Sequence, residues 1–119
     1  MSTPNLDRLA SHPDKPRIFV LTDITNEPDD QESLVRYLLY SNEFDTQALC
    51  ATTSAWLPTQ VAPHVIRRVL KAYGAVVDNL NKHVHPNARY QGEEELSQLV
   101  TQGLPVRTYG SVYETLHPR

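Results

Sequence analysis

The feature that most constrains this chain is a change of hydrophobic period across an acidic corner. Ile18-Phe19-Val20-Leu21 is apolar at four consecutive positions, as expected of a short strand covered on both faces. From Asp29-Asp30-Gln31-Glu32 onward the period becomes helical, with Leu34, Val35, Leu38 and Leu39 on one face and a stop near Asn42. The polar turn Asp23 to Pro28 joins the two segments. A strand, a polar corner and an amphipathic helix in that order begin a parallel βαβ unit.

The rest of the chain repeats the pattern. Ala48, Leu49, Cys50 and Ala51 predict a second buried strand over 47–53. Val61, Val65, Val69, Leu70, Tyr73, Val76, Val77 and Leu80 predict one long helix over 60–82, with Pro63 in its first turn. Gly74 weakens that helix by about 1 kcal/mol relative to Ala. Glu93-Glu94-Glu95 suits the positive end of a third helix, with Leu96, Leu99 and Val100 on one face and Gly103 as its C′ residue. Residues 104–109 then predict a short third strand. The class is α/β, a partial doubly wound, Rossmann-like and mainly parallel sheet that stops after about three strands. A strand covered on both faces normally has neighbours on both sides, so the sheet reads as cut short. Residues 1–16, with Pro4, Pro13 and Pro16, read as a flexible tail, 17–110 as the ordered unit and 111–119 as an irregular tail.

Composition removes several functions. The 119 residues carry 11 Lys+Arg against 14 Asp+Glu, a formal net charge of -3. There is thus no basic surplus for nucleic-acid phosphates. No uncharged apolar run approaches the roughly 20 residues of a membrane span, and the Met-Ser-Thr-Pro-Asn start lacks the regions of a secretory signal. A cytoplasmic location is expected. The single cysteine, Cys50, excludes an intramolecular disulfide framework and a Cys-rich zinc site, and its place on a buried strand suits a small core residue.

The chemistry gathers in Thr22-Asp23-Ile24-Thr25-Asn26-Glu27-Pro28-Asp29-Asp30. Ligands of open α/β sheets bind beyond the carboxyl ends of the strands, where this segment leaves the first one. Asp23, Glu27, Asp29 and Asp30 put four carboxylates within eight residues, beside the amide of Asn26. Hard oxygen donors at that density suit Ca²⁺, and Mg²⁺ less readily. The competing reading is local: Asp29 with Glu32 three residues later fits a helix cap, and acids favour a helix N-terminus in any case. Asp23, directly at the end of an apolar strand, lies too far from the helix start for that role. A haloacid-dehalogenase-type phosphatase is a further alternative, but its second acid, two positions after the nucleophilic Asp, is Thr25 here.

The stretch from Thr22 to Arg36, with Tyr40-Ser41-Asn42-Glu43-Phe44-Asp45, Ala51-Thr52-Thr53-Ser54 and the helix segment Ala72-Tyr73 to Asn79-Leu80, resembles the nucleoside hydrolase-like domain of proteins described as cellulose-binding. The resemblance runs through about Gly103. That domain is similar to true nucleoside hydrolases, in which an Asp, a Pro-Gly turn and an Asp-Asp pair hold a catalytic calcium. Asp23, Asp29 and Asp30 match those acids, with two more residues between the first Asp and the pair and with Asn26-Glu27-Pro28 replacing the Pro-Gly turn. Glu27 offers a further oxygen. The hydrolases carry a sugar-binding Gly-Asn after the second strand, where this chain has Ser54-Ala55-Trp56.

The resemblance implies Ca²⁺-dependent hydrolysis of an N-glycosidic or related sugar bond in a complete form, with Asp23 as base and ligand, Asp29, Asp30 and Glu27 as ligands, and Asn26, Ser54 and Trp56 toward the sugar. Trp56 has the indole face to stack on a sugar or a base. The family's late calcium-ligating Asp and its base-protonating His lie further along longer chains. None of His12, His64, His83, His85 and His117 matches that site, and His83-Val84-His85 suits a helix end better than a metal. Arg67, Arg68 and Lys71 read as a solvated helix face. The alternatives are non-catalytic carbohydrate (cellulose) binding, and an interaction fragment that forms a homo-oligomer through an open sheet edge.

Overall fold

The computed structural model describes residues 14–105. Its elements in chain order are β1 (Arg17–Thr22), α1 (Pro28–Tyr40), β2 (Asp45–Ala51), α2 (Pro63–Gly74), α3 (Val77–Asn81), α4 (Glu93–Gln98) and β3 (Val100–Gln102). Short 3₁₀ turns lie at Ser41–Glu43 and Pro86–Ala88. The three strands form one parallel sheet in the order β1-β2-β3. This is the α/β architecture expected from the sequence. Among the described residues no helix is long and apolar enough to cross a membrane.

The core forms where helices α1, α2 and α4 meet the sheet. Leu34 and Leu38 of α1, Val65, Ile66, Leu70 and Tyr73 of α2, and Leu96 of α4 are buried together with Leu49, Ala51 and Val100. Val20 packs against this group from β1. The four-position spacing of Leu34 and Leu38, and of Ile66 and Leu70, places each pair on one buried helix face, whereas Val35, Leu39 and Val76, read from the sequence as part of the same stripes, remain 49%, 46% and 45% exposed. Arg67, Arg68 and Lys71 are exposed, as expected.

Four expectations are corrected. The first strand is not covered on both faces: Phe19 and Leu21 remain 50% and 49% exposed, and β1 lies at an edge of the described sheet with β2 as its one neighbour. All-apolar patterning cannot report whether the second face finds a partner. The long helix over 60–82 is two helices, α2 and α3, separated at Ala75 and Val76. Gly74 ends α2 where Glu93 approaches, and the Glu93 side chain fills the space that a Cβ at Gly74 would need. Gly103 is not a helix C′ residue: Leu99 closes α4, and Val100 enters a strand paired with Leu49. The N–H of Gly103 extends that pairing by donating to the Ala51 carbonyl at 2.9 Å. The third strand therefore precedes Leu104. Leu104 and Pro105 are not in a strand, and 106–109 lie outside the described residues. The tails at 1–13 and 111–119 also lie outside them.

The β1–β2 register contains one irregularity. Ile18 pairs with Thr46 and Phe19 with Ala48, which leaves Gln47 of β2 as the extra residue. The carboxyl ends are then level, Thr22 opposite Ala51. That alignment brings the loops after β1 and β2 to one edge.

Candidate acidic site at the carboxyl edge of the sheet

The corner after β1 is anchored from within. Ile24, 1% exposed, drops into the core between the strand and α1. On either side of it the backbone closes a turn, with the Asn26 N–H donating to the Asp23 carbonyl at 3.1 Å. Thr25 completes the turn at φ 91°, a left-handed conformation that β-branched residues rarely adopt and that holds about 1–3 kcal/mol of strain. Packing of Ile24 fixes the residue before it, Asp23, at the rim.

α1 begins just beyond. Glu27 occupies its N-cap in an extended conformation with no side-chain capping bond, Pro28 takes the first helical position, and Asp29 and Asp30 lie in the first turn. The Asp29–Glu32 capping arrangement is therefore not formed; Asp29 and Asp30 gain from the helix dipole without capping it. Glu27 and Asp29 are exposed, whereas Asp23, Asn26 and Asp30 are half-buried.

Asp23 and Asp30 come together. The Thr22 hydroxyl donates to Asp30 Oδ2, and the Asp23 carboxyl lies close enough to Asp30 to act on its ionisation. The bond from Thr22, the largest influence on Asp30, lowers its pKa. Burial, the approach of Asp23 and the negative charges of Asp23 and Asp29 together outweigh it and raise the group above its ordinary 3.8. Asp30 therefore keeps its proton more readily than an isolated aspartate. Beside it, a groove of about 190 Å³ is lined by Val20, Leu21, Thr22, Asp30, Leu34 and Tyr37, among others.

The loop after β2 begins at the same edge, where the Thr52 N–H donates to the Thr22 carbonyl at 2.8 Å. Ser54 organises it: its hydroxyl accepts from the N–H groups of Trp56 and Leu57 at 3.1 and 3.0 Å, and its own N–H donates to the Leu57 carbonyl. Leu57 is buried and Trp56 is 81% exposed. Ser54 is thus a loop-forming residue here, and the indole projects from the turn it builds.

Among the described residues, no group of three or more His, Cys, Asp or Glu is arranged to hold a metal ion. The donor chemistry of Asp23 and Asp30 fits a hard cation, because two adjacent carboxylates repel each other unless a proton or a metal intervenes. They supply part of a coordination shell. The histidine expectation is refined: the His85 ring accepts from the Asn87 N–H at 3.0 Å and so caps the 3₁₀ turn that follows. Cys50 is buried and free. Thr22 was not among the site residues expected from sequence; its one signal is a hydroxyl at the last position of an apolar strand leading into an acid. Ile24 gave no signal, being a single apolar residue in a polar turn.

A solved relative shares this arrangement of strands and helices. The nucleoside hydrolase-related hypothetical protein from Saccharophagus degradans, described as associated with carbohydrate metabolism, superposes with a TM-score of 0.72 at 29% sequence identity. The match covers 81% of this chain and 22% of that one, so the chain spans about a fifth of the relative's length. No protein of curated function matches the chain. The family model of the cellulose-binding Sde182, nucleoside hydrolase-like domain matches residues 17–117, from the first residue of β1 onward. With most of its length inside that match, and its acidic corner on the matching parallel sheet, the chain belongs to the Sde182 nucleoside hydrolase-like family.

Proposed function

We propose that the carboxyl edge of this sheet is part of a sugar-binding hydrolytic site, whose complete form cleaves an N-glycosidic or related glycosyl bond in a nucleoside or carbohydrate. The observation that carries this reading is the Asp23–Asp30 carboxyl pair at the end of β1, with Thr22 donating to Asp30. Asp23 is at the strand terminus, without the Thr22 bond, and is the group we assign to take a proton from an attacking water at a carboxylate oxygen. Asp30 is held by Thr22 and orients its neighbour. Negative charge at the corner stabilises the oxocarbenium-like sugar that forms as the bond breaks. Asp23 and Asp30 are the residues that would hold Ca²⁺ as part of a shell, with Asp29 and Glu27 exposed at the rim; such an ion would supply a more acidic water and a grip on sugar hydroxyls. Asn26 faces the sugar in this reading.

A second reading, carbohydrate binding without catalysis, is favoured by one observation. Trp56, 81% exposed on the loop adjoining the corner, offers a bare indole face suited to a sugar ring. Calorimetry separates the two. Ca²⁺ binding by the chain is expected to be weak and to be lost in Asp23→Asn; a parent chain that gives no heat with Ca²⁺ overturns the metal assignment. Cello-oligosaccharide binding that persists in Asp23→Asn and disappears in Trp56→Ala, with no base or reducing sugar released from a nucleoside panel, favours the second reading.

A further inference from the structure

We propose that Ser54 is a positioning residue: it closes a rigid turn that mounts the Trp56 indole as a stacking platform for a neutral sugar ring. The proposal rests on the carbohydrate-binding reading of Trp56, and adds to it the residue that fixes the platform and the charge class of its ligand. The turn is closed from within. The Ser54 hydroxyl accepts from the Trp56 N–H at 3.1 Å and from the Leu57 N–H at 3.0 Å, and the Ser54 N–H donates to the Leu57 carbonyl at 3.1 Å. Two accepted bonds occupy both lone pairs of the hydroxyl. Ser54 therefore acts through the backbone of Trp56 and has no acceptor left for a sugar hydroxyl.

Both ends of the turn are anchored. On its N-terminal side the Thr52 N–H donates to the Thr22 carbonyl at 2.8 Å, which carries the pairing with β1 one residue past the end of β2. On its C-terminal side Leu57 and Ala62 are buried, and Pro58 confines Leu57 to extended backbone. All of these contacts lie between residues 22 and 62, inside the described part of the chain. A free loop surrenders conformational entropy when a ring stacks on its indole, whereas this loop has surrendered it on folding. The charge of the ligand follows from the surroundings. No Asp, Glu, Lys or Arg occurs between Asp45 and Arg67, so nothing on the loop pairs with an ionic group. At the same edge of the sheet, Asp23, Glu27, Asp29 and Asp30 repel an anion. A neutral ring, apolar on its C–H face and hydroxylated at its rim, suits both the indole and the Thr52, Thr53 and Thr59 hydroxyl groups of the loop.

Trp56 is the only tryptophan of the chain, so its fluorescence reports this loop alone. Cello-oligosaccharide titrated into the full 119-residue chain in chelator, followed by emission and anisotropy, tests the mount apart from any metal. Ser54→Ala is expected to lower the anisotropy of the sugar-free protein and to weaken binding about fivefold. Ser54→Thr keeps the hydroxyl and is expected to restore both. Ala55→Gly loosens the same turn without removing a hydrogen bond, and is expected to shift both quantities in the direction of Ser54→Ala. Weakened binding with unchanged sugar-free anisotropy makes Ser54 a direct ligand and overturns the proposal. Binding by Ser54→Ala as tight as the parent's also overturns it, and leaves the carbohydrate reading standing. A parent chain that binds no cello-oligosaccharide overturns that reading and the platform with it. The same oligosaccharide oxidised to carboxylates at C6 is expected to bind about threefold more weakly at low salt, the difference shrinking as salt is added. Equal affinity for the two overturns the neutral class.

Discussion

At the scale of single residues, the corner after β1 combines strain, burial and charge within a few positions. Thr25 is held at positive φ by what flanks it: Ile24 buried on one side, and the Asn26–Asp23 bond across the turn. Asp30 has its pKa raised, so its linkage to stability runs opposite to that of a salt-bridged aspartate. Its contribution is fully present below pH 3.8 and is lost as pH rises through the higher folded value. Asp30→Asn keeps an acceptor for Thr22 and removes the charge facing Asp23 and Asp29. Its melting temperature is expected to exceed the parent's by a few degrees at neutral pH, solvent screening keeping the gain small. The difference should close as both proteins are melted below pH 3.8, and a variant less stable than the parent at neutral pH contradicts the carboxyl pairing.

Among the elements, α2 organises the rest. Its buried stripe, Val65, Ile66, Leu70 and Tyr73, reaches α1, α4 and the sheet, and its Gly74 end gives the start of α4 its close approach. Leu70 is fully buried in that stripe. Leu70→Ala is expected to cost about 2–5 kcal/mol, from lost transfer free energy plus the cavity left behind. Urea unfolding measures this, and a loss below 1 kcal/mol would mean that α2 is not packed as described. α4 and β3 illustrate the limit of periodicity. Leu96, Leu99 and Val100 fit one helical face, yet Leu99 ends the helix and the Leu99 carbonyl accepts from the Leu49 N–H at 3.0 Å. Pairing with a strand some fifty positions earlier in the chain outweighs local spacing, and no local window contains that partner.

For the whole molecule, tyrosines fasten the layers. The Tyr73 hydroxyl donates to the Gln91 carbonyl at 2.6 Å and Tyr90 to the Leu39 carbonyl at 2.6 Å, tying the segment before α4 to α2 and α1. Burial, the dominant influence, pushes Tyr73 up to about 12 from 10.0, against a smaller lowering effect of the nearby Ser41 hydroxyl. Protonated Tyr73 therefore stabilises the fold fully below pH 10 and progressively less as pH rises toward 12. Melting temperature is expected to fall across that interval, and Tyr73→Phe, which has no proton to lose, should flatten the fall. An equally steep decline in the variant would place the alkaline transition elsewhere.

The sequence by itself determined the parallel α/β class, the centre of the buried stripes at Leu34 and Leu38 of α1 and at Val65, Leu70 and Tyr73 of α2, and the acids clustered at the end of β1, because each is a local pattern of residue type against period. Tertiary structure decided what no local window contains. It placed β3 at Val100 because Leu49 is its partner, broke the long helix where Glu93 meets Gly74, and, among the described residues, left Phe19 and Leu21 of β1 half-exposed. It also selected, from four carboxylates close in sequence, the pair that meets: Asp23 and Asp30 converge because Ile24 pulls the turn inward and α1 begins at Pro28, while Glu27 and Asp29 point outward from the same short segment.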